Sequence, residues 1–283
     1  MSGHGSQAVH VKTITSRGDP DGASVKLIVS RWELIKALAL RSVRTRYRGT
    51  HLGFLWAFAQ PLLYMLVLNA FFGLVFHRRW TGDLPYPLLL LTGLVTFQMI
   101  SRSIAEGSNA ILSNQAIISK NYIPPIVFPV ASTLSSFVDF LLSTLLLVPF
   151  FIYYQIAPSE NLLFIPIILL FLFLLCAAAQ LFMSVVAARF RDVRLAVPAI
   201  AQLLFFGSPV FYPVSIIPEA YLPYYYLNPM VGIVEAVRWS VLGGTQLPDT
   251  NMLLTSAGTT IGACLVAIVV FRRLGRQLTN YLG

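Results

Sequence analysis

The chain has 283 residues, of which 57% are hydrophobic and 11% charged, and it carries a net charge of +9. Soluble domains hold about 25% charged residues, so this composition cannot clothe a soluble globule, and the apolar residues fall in long runs. A soluble enzyme is excluded and an all-α integral membrane protein is expected. Nine of the 20 Lys/Arg lie between Lys12 and Arg48, which reads as a cytoplasmic flank obeying the positive-inside rule, not as a nucleic-acid surface.

Residues 1–24 are polar, Gly- and Ser-rich and without periodicity, and are expected to be a mobile tail. No charged start is followed by a short apolar core and a cleavage site, so no signal peptide is expected. Over residues 25–51 the pattern changes. Ile28, Trp32, Ile35 and Ala39 recur at helical spacing among Lys and Arg, which predicts an amphipathic helix at the cytoplasmic membrane surface.

Six runs then approach the ~20 apolar residues that a span requires: roughly 52–76, 85–105, 126–153, 162–188, 195–213 and 251–271. With both termini in the cytoplasm, Arg78, Arg79 and Arg238 are the outer basic residues among the 20, and the others, Arg102 included, lie inside. The loop 107–125 contains a stretch, Asn109–Lys120, able to form a short helix that Pro124-Pro125 stops. Asp192 is placed to cap the helix that follows it.

The stretch 214–244 is irregular, broken by Pro218, Pro223 and Pro229. As a full span it would carry Arg272-Arg273 outside. It is therefore read as two short helices that enter from the outer face and return, a geometry tolerated when buried in protein or lining a cavity. A helix lying on the outer surface is the alternative. Glu235 and Arg238 are three apart and can pair on one helix face. Gly258 and Gly262 form a G-x-x-x-G able to bring helices close.

The stretch Leu40–Gly73 resembles the opening of the membrane subunits of ABC-type polysaccharide exporters, which move O-antigen, capsule or teichoic-acid chains. Their R-x-R-Y, L-G-x-L-W and Q-P-L segments are matched by Arg46-Tyr47, Leu52-Gly53, Leu55-Trp56 and Gln60-Pro61-Leu62. The likeness continues through Asn109–Pro129, Phe190-Arg191-Asp192, Ser208–Tyr212 and Leu227-Asn228-Pro229. The C-terminal FRRLGRQLTNYLG departs from it, lacking an acidic residue near Gly275. The resemblance implies a permease that pairs with a second copy of itself and with two ATP-binding cassette subunits, in the bacterial cytoplasmic (inner) membrane. ATP and Mg belong to those partners, since the chain has no G-x-x-x-x-G-K-[ST] phosphate loop of its own. No cofactor is expected in this chain.

Candidate residues follow from both readings. Trp56, Gln60 and Tyr64 lie at i, i+4 and i+8 on one stripe, and aromatic faces with an occasional amide suit a sugar chain, though they also suit ordinary helix packing. Phe205, Phe206, Phe211 and Tyr212 are weighed the same way for the substrate pathway. Tyr221, Tyr224, Tyr225 and Tyr226, with Glu235 and Arg238, fall where the family has its outer gate, although tyrosines gather at membrane interfaces in any case. Asn109, Asn114, Lys120 and Tyr122 sit in the loop that the resemblance makes the ATPase-coupling element. Arg41, Arg44, Arg46 and Arg48 can hold anionic membrane lipids, a cytoplasmic partner, or the pyrophosphate of a lipid-linked glycan.

Asp139, beside Ser135, Ser136 and Ser143, is a functional candidate as an ionisable group at membrane depth, yet a serine-rich face can also hold a protonated carboxyl quietly. With no His and no second carboxylate in its span, structural packing is favoured over a proton relay. Cys176 and Cys264 are expected to be packing residues, and His4, His10, His51 and His77 are too scattered for a metal site. Two other readings remain open. One is an exporter of drugs or small lipids on the same scaffold. The other is a lipid-sugar transferase, which would have to work with Glu106, Glu160 and Glu219, single carboxylates in separate loops.

Overall fold

The computed structural model describes residues 25–49, 53–76, 84–121, 123–157, 159–243 and 247–282, with side chains except at 25–26, 74–76, 119–121 and 276–282. The N-terminal tail, all four histidines, Arg78, Arg79 and Tyr122 lie outside the described residues, as does the side chain of Lys120. The described residues form helices and turns with no strand. The helices are α1 (Val25–Ser30), α2 (Trp32–Tyr47), α3 (Trp56–Phe76), α4 (Tyr86–Ala110), α5 (Gln115–Asn121) and α6 (Val127–Thr144). They continue with α7 (Leu147–Tyr154), α8 (Ile165–Arg189), α9 (Val193–Phe206), α10 (Leu222–Tyr225), α11 (Pro229–Leu242) and α12 (Thr250–Leu282).

Among the described residues, five segments are long and apolar enough to cross a membrane: Gly53–Gly73, Tyr86–Ala110, Val127–Tyr154, Glu160–Arg189 and Thr250–Gly275. They correspond to five of the six expected spans. α4 is the hub. It is 78% buried along its apolar window, against 17% for the segments containing α3 and α12, and it packs on α3, α6, α8, α9 and α11. Gly107 permits one of these approaches, because a Cβ there would stand 2.7 Å from the Gln180 Cα of α8. A Cβ on Gly258 or Gly262 would meet nothing within 4 Å, so the G-x-x-x-G makes no close helix contact among the described residues.

The fifth run differs from its expected extent of 195–213. α9 has 14 residues, about 21 Å at 1.5 Å per residue, against a hydrocarbon core of about 30 Å. It stops at Phe206 because Gly207-Ser208-Pro209 follows, and proline disfavours helical geometry in the residue before it. The outer segment also departs from two short helices. Its first limb is only single turns, Val214–Ile216, Glu219–Tyr221 and the four-residue α10, with Pro213, Pro218 and Pro223 interrupting. Its second limb, α11, is a buried helix of 14 residues. Asn228 caps it by accepting a bond from Met230 N at 3.0 Å, and Pro229 occupies its first position.

Towards the basic end of the bundle, the single amphipathic helix is interrupted at Arg31. Ile35 and Ala39 of α2 bury against Val127 and Ala131 at the start of α6, while Trp32 of the expected apolar face remains exposed. α4 runs on to Ala110, five residues past the apolar run. Ser103, Ser108 and Asn109 bond carbonyls three or four residues earlier, so polarity ends the hydropathy signal without ending the helix. The short helix expected over Asn109–Lys120 therefore begins later, at Gln115, after a tight turn at Leu112–Asn114. Asp192 stands at the start of α9 with helical dihedrals and makes no side-chain cap. Cys176 and Cys264 are free thiols.

Candidate functional site: a guanidinium-ended groove and an aromatic turn

The i, i+4 spacing of Trp56, Gln60 and Tyr64 sets them one above another on α3, and the structure brings all three into one groove of about 660 Å³. Ala57, Leu63 and Val67 complete its apolar wall, and Arg46, Tyr47 and Arg102 enter it at one end. Trp56, Gln60 and Tyr64 are all exposed.

Behind those arginines lies a cluster that the sequence reading missed. Asp139, fully buried, is ion-paired with Arg46 and with Arg102, the latter at 3.3 Å. Arg46 also pairs with Glu106. Tyr47 donates to Asp139 Oδ1 at 2.9 Å, and Ser132 and Ser136 each donate to Glu106 Oε2 at 3.0 Å. Asp139 thus faces two guanidiniums, and the second carboxylate its own span lacks arrives on the neighbouring α4. Glu106 and Arg102 belong to that helix, not to loops. An ionisable group at membrane depth needs a partner of opposite charge, and Arg102 and Glu106, four apart on one helix face, were the available signal.

The four basic candidates separate. Arg46 turns inward, whereas Arg41, Arg44 and Arg48 are exposed. Arg41 lines a second cleft of about 610 Å³ between α2 and the ends of α4 and α6, together with Asn109, Asn114, Glu106 and Arg46. Arg46 therefore borders both cavities. Asn109 and Asn114 fold their amides back onto the Ala105 and Ala110 carbonyls.

Phe205, Phe206, Phe211 and Tyr212 form a second group towards the opposite end of α4. Phe205 and Phe211 stack at 5.5 Å between centroids, Phe211 meets Tyr212 at 4.9 Å, and Phe72 of α3 and Phe97 of α4 join them. Phe72 lies two helical turns beyond Tyr64 on α3, so that helix visits both groups. The backbone here has left α9, and its carbonyls need donors. Arg238 supplies them to Val210 at 2.7 Å and Tyr212 at 3.3 Å, and also donates to the Leu89 carbonyl of α4 at 3.3 Å. Tyr86 donates to the Phe211 carbonyl, Tyr212 to that of Phe206, and Asn228 to that of Gly207. Gly93 makes the approach possible, since a Cβ there would stand 2.4 Å from the Val210 oxygen.

Arg238 is 5% exposed and pairs with Glu235 at 2.9 Å, the local partner its spacing predicts. Of the other outer candidates, Tyr225 shares a hydroxyl contact of 2.9 Å with Tyr212, and Tyr226 is buried and donates to Asp249 at 3.1 Å. Tyr221 and Tyr224 point outward. The structure thus brings Tyr212, Tyr225, Glu235 and Arg238 together and leaves Tyr221 and Tyr224 apart.

Residues 33–242 match the model of the ABC-2 type transporter family. The chain is 28% identical to the O-antigen export system permease protein RfbA of Myxococcus xanthus, over 84% of this chain and 91% of that protein. It is 31% identical to the polysialic acid transport protein KpsM of Escherichia coli, over 74% and 81% of the two chains. It is 26% identical to the O-antigen export permease RfbA of Klebsiella pneumoniae, over 89% and 95%. A helical bundle with five apolar spans among the described residues and a match over most of its length place this chain in the ABC-2 type transporter family, as a multi-pass membrane permease.

Proposed function

We propose that this chain is the transmembrane subunit of an ATP-driven exporter that moves a lipid-linked polysaccharide, O-antigen-like, across the bacterial cytoplasmic membrane. The observation that carries the reading is the groove on α3, where Trp56, Gln60 and Tyr64 are exposed beside two guanidiniums. The names of the relatives, O-antigen and polysialic acid carriers, point the same way. A polymer of sugars needs a hydrated path walled by ring faces and hydrogen-bonding groups.

Two copies form the path between their first and fifth runs, α3 and α9. Gln60 on α3 and Gln202 on α9 are exposed amides within apolar helices, and an amide at membrane depth is costly against lipid unless another chain or water satisfies it. The basic end, with both termini, faces the cytoplasm. There two ATP-binding subunits, which hold ATP and Mg, press on α5 and on the cleft bordered by Asn109 and Asn114. The segment 214–244 is re-entrant from the outer face and forms the exit gate around Arg238.

The test is deletion of the gene in its own host, with complementation by the parent or by Tyr64→Ala. Deletion leaves finished polymer on the inner leaflet and a bare surface; the parent restores display. Tyr64→Ala assembles with the ATPase and restores little. An unchanged surface glycan in the deletion strain, with no second exporter present, contradicts the reading and favours an exporter of small lipids or drugs.

A further inference from the structure

Two cavities meet at the end of the bundle where α11 stops and α8 and α12 begin. The first is a slot of about 330 Å³ between those three helices. From Phe164 to Phe171 its α8 wall descends about 10 Å at 1.5 Å per residue, and Leu253, Leu254 and Ala257 supply the α12 wall. Its mouth is open, since Phe164, Ile167 and Leu254 are exposed. The second cavity, of about 350 Å³, has Glu235, Arg238 and Asp249 as its charged lining. Trp239 and Pro248 line both, so a polar chamber and an apolar slot share one rim. Phe164 packs on Trp239 there, with ring centroids 5.3 Å apart.

The charges of the chamber do not balance. Arg238 pairs with Glu235 at 2.9 Å, and its other bonds go to backbone carbonyls. Asp249 accepts from the Tyr226 hydroxyl and the Asn251 amide, both neutral donors. Among the described residues no Lys or Arg pairs with it. A carboxylate without a counter-charge and an indole face both attract a cation. A bare divalent ion has no use for the slot, and with Glu235 committed to Arg238 it finds too few oxygen ligands. A plain hydrocarbon has no use for Asp249. Neither α3 nor α9, the helices given above to the second copy, lines either cavity, so the slot opens onto lipid.

We propose that this rim holds a phospholipid with a primary ammonium head, phosphatidylethanolamine. One acyl chain lies in the slot and the ammonium rests between Asp249 and Trp239. An ammonium brings three N–H donors to the carboxylate. A choline head keeps the charge without the donors, and an anionic glycerol head offers no positive charge. The lipid ties α8 and α12 to α11, the helix that carries Arg238 and through it the turn after α9. The site requires only that the chain spans a membrane and is independent of the cargo.

The experiment uses the full chain, purified in detergent and stripped of lipid. It is titrated with dioleoyl phosphatidylethanolamine, phosphatidylcholine or phosphatidylglycerol, which share their acyl chains. Bound lipid is counted by native mass spectrometry, and thermal unfolding is followed in parallel. The parent binds the ethanolamine lipid about fivefold more tightly than the choline lipid, a gain limited by the exposure of Asp249. It binds the glycerol lipid more weakly than either, and the ethanolamine lipid raises its unfolding temperature most. Asp249→Asn can still cap α12 and narrows the ethanolamine–choline difference to about twofold or less, the charge-assisted contact being gone. Ala257→Phe fills the slot and weakens all three lipids by about tenfold or more.

Equal binding of the three lipids by the parent, or stronger binding of the glycerol lipid, overturns the head assignment. An unchanged ethanolamine preference in folded Asp249→Asn does the same. Folded Ala257→Phe that binds lipid like the parent overturns the slot, and loss of the dimer in that variant would make this face a contact between copies instead. If neither variant folds, the three-lipid comparison on the parent decides alone.

Discussion

Arg46 stands on α2, yet both of its carboxylate partners come from other helices, Glu106 of α4 and Asp139 of α6. Removing Arg46 leaves Asp139 with Arg102 and Tyr47 and leaves Glu106 with two serines, so the loss is expected below the roughly 3 kcal/mol typical of a fully broken buried ion pair. Arg46→Ala is therefore expected to lower the thermal unfolding midpoint of the purified chain far more than Arg44→Ala, whose parent side chain is exposed; equal effects would mean that the cluster contributes nothing to stability. The Glu235–Arg238 pair was legible in the sequence because its members are three residues apart on one helix. The Arg46–Asp139 pair was not, because its members lie far apart in the chain and only tertiary packing brings them together. What the sequence did hold was an unpaid electrostatic debt, three ionisable side chains in or beside apolar runs.

Among the elements, the turn after α9 is the one whose geometry depends on side chains from elsewhere. Arg238, Tyr86 and Asn228 satisfy its carbonyls, and the aromatic group rides on it. Gly93→Ala would drive a methyl against the Val210 oxygen and the Arg238 guanidinium, and a cost of about 1–3 kcal/mol is expected for such overpacking. Gly258→Ala, where the added methyl meets nothing among the described residues, is expected to be nearly neutral in the same thermal assay. Comparable losses in both would contradict the close-approach account.

The start of α11 at Asn228-Pro229 was legible, since a capping side chain and a first-position proline are local signals. The ends of α4 and α9 were misjudged, and for opposite reasons. Hydropathy stops before α4 does, because Ser and Asn bond back onto its carbonyls. It continues past α9, because Val210, Phe211 and Tyr212 are apolar residues in a non-helical turn.

At the scale of the molecule, the bundle is organised around α4, which α3, α6, α8, α9 and α11 surround. α3 is left with Leu63, Tyr64, Leu66, Val67 and Phe71 exposed. The helical class and the five long spans were legible because twenty-residue apolar runs have few other uses. The groove was legible in part. The stripe of Trp56, Gln60 and Tyr64 follows from helical periodicity, while the arginines at its end, one from α2 and one from α4, follow only from tertiary packing.

The most direct test of the central claim, that polymer passes along this groove, is photo-crosslinking during turnover in cells. A photo-reactive amino acid is placed at the position of Tyr64, and for comparison at that of Leu170, an exposed residue of α8. The account predicts glycan-bearing adducts at position 64 and phospholipid adducts alone at position 170. Phospholipid alone at both positions, from cells that are exporting polymer, would contradict it.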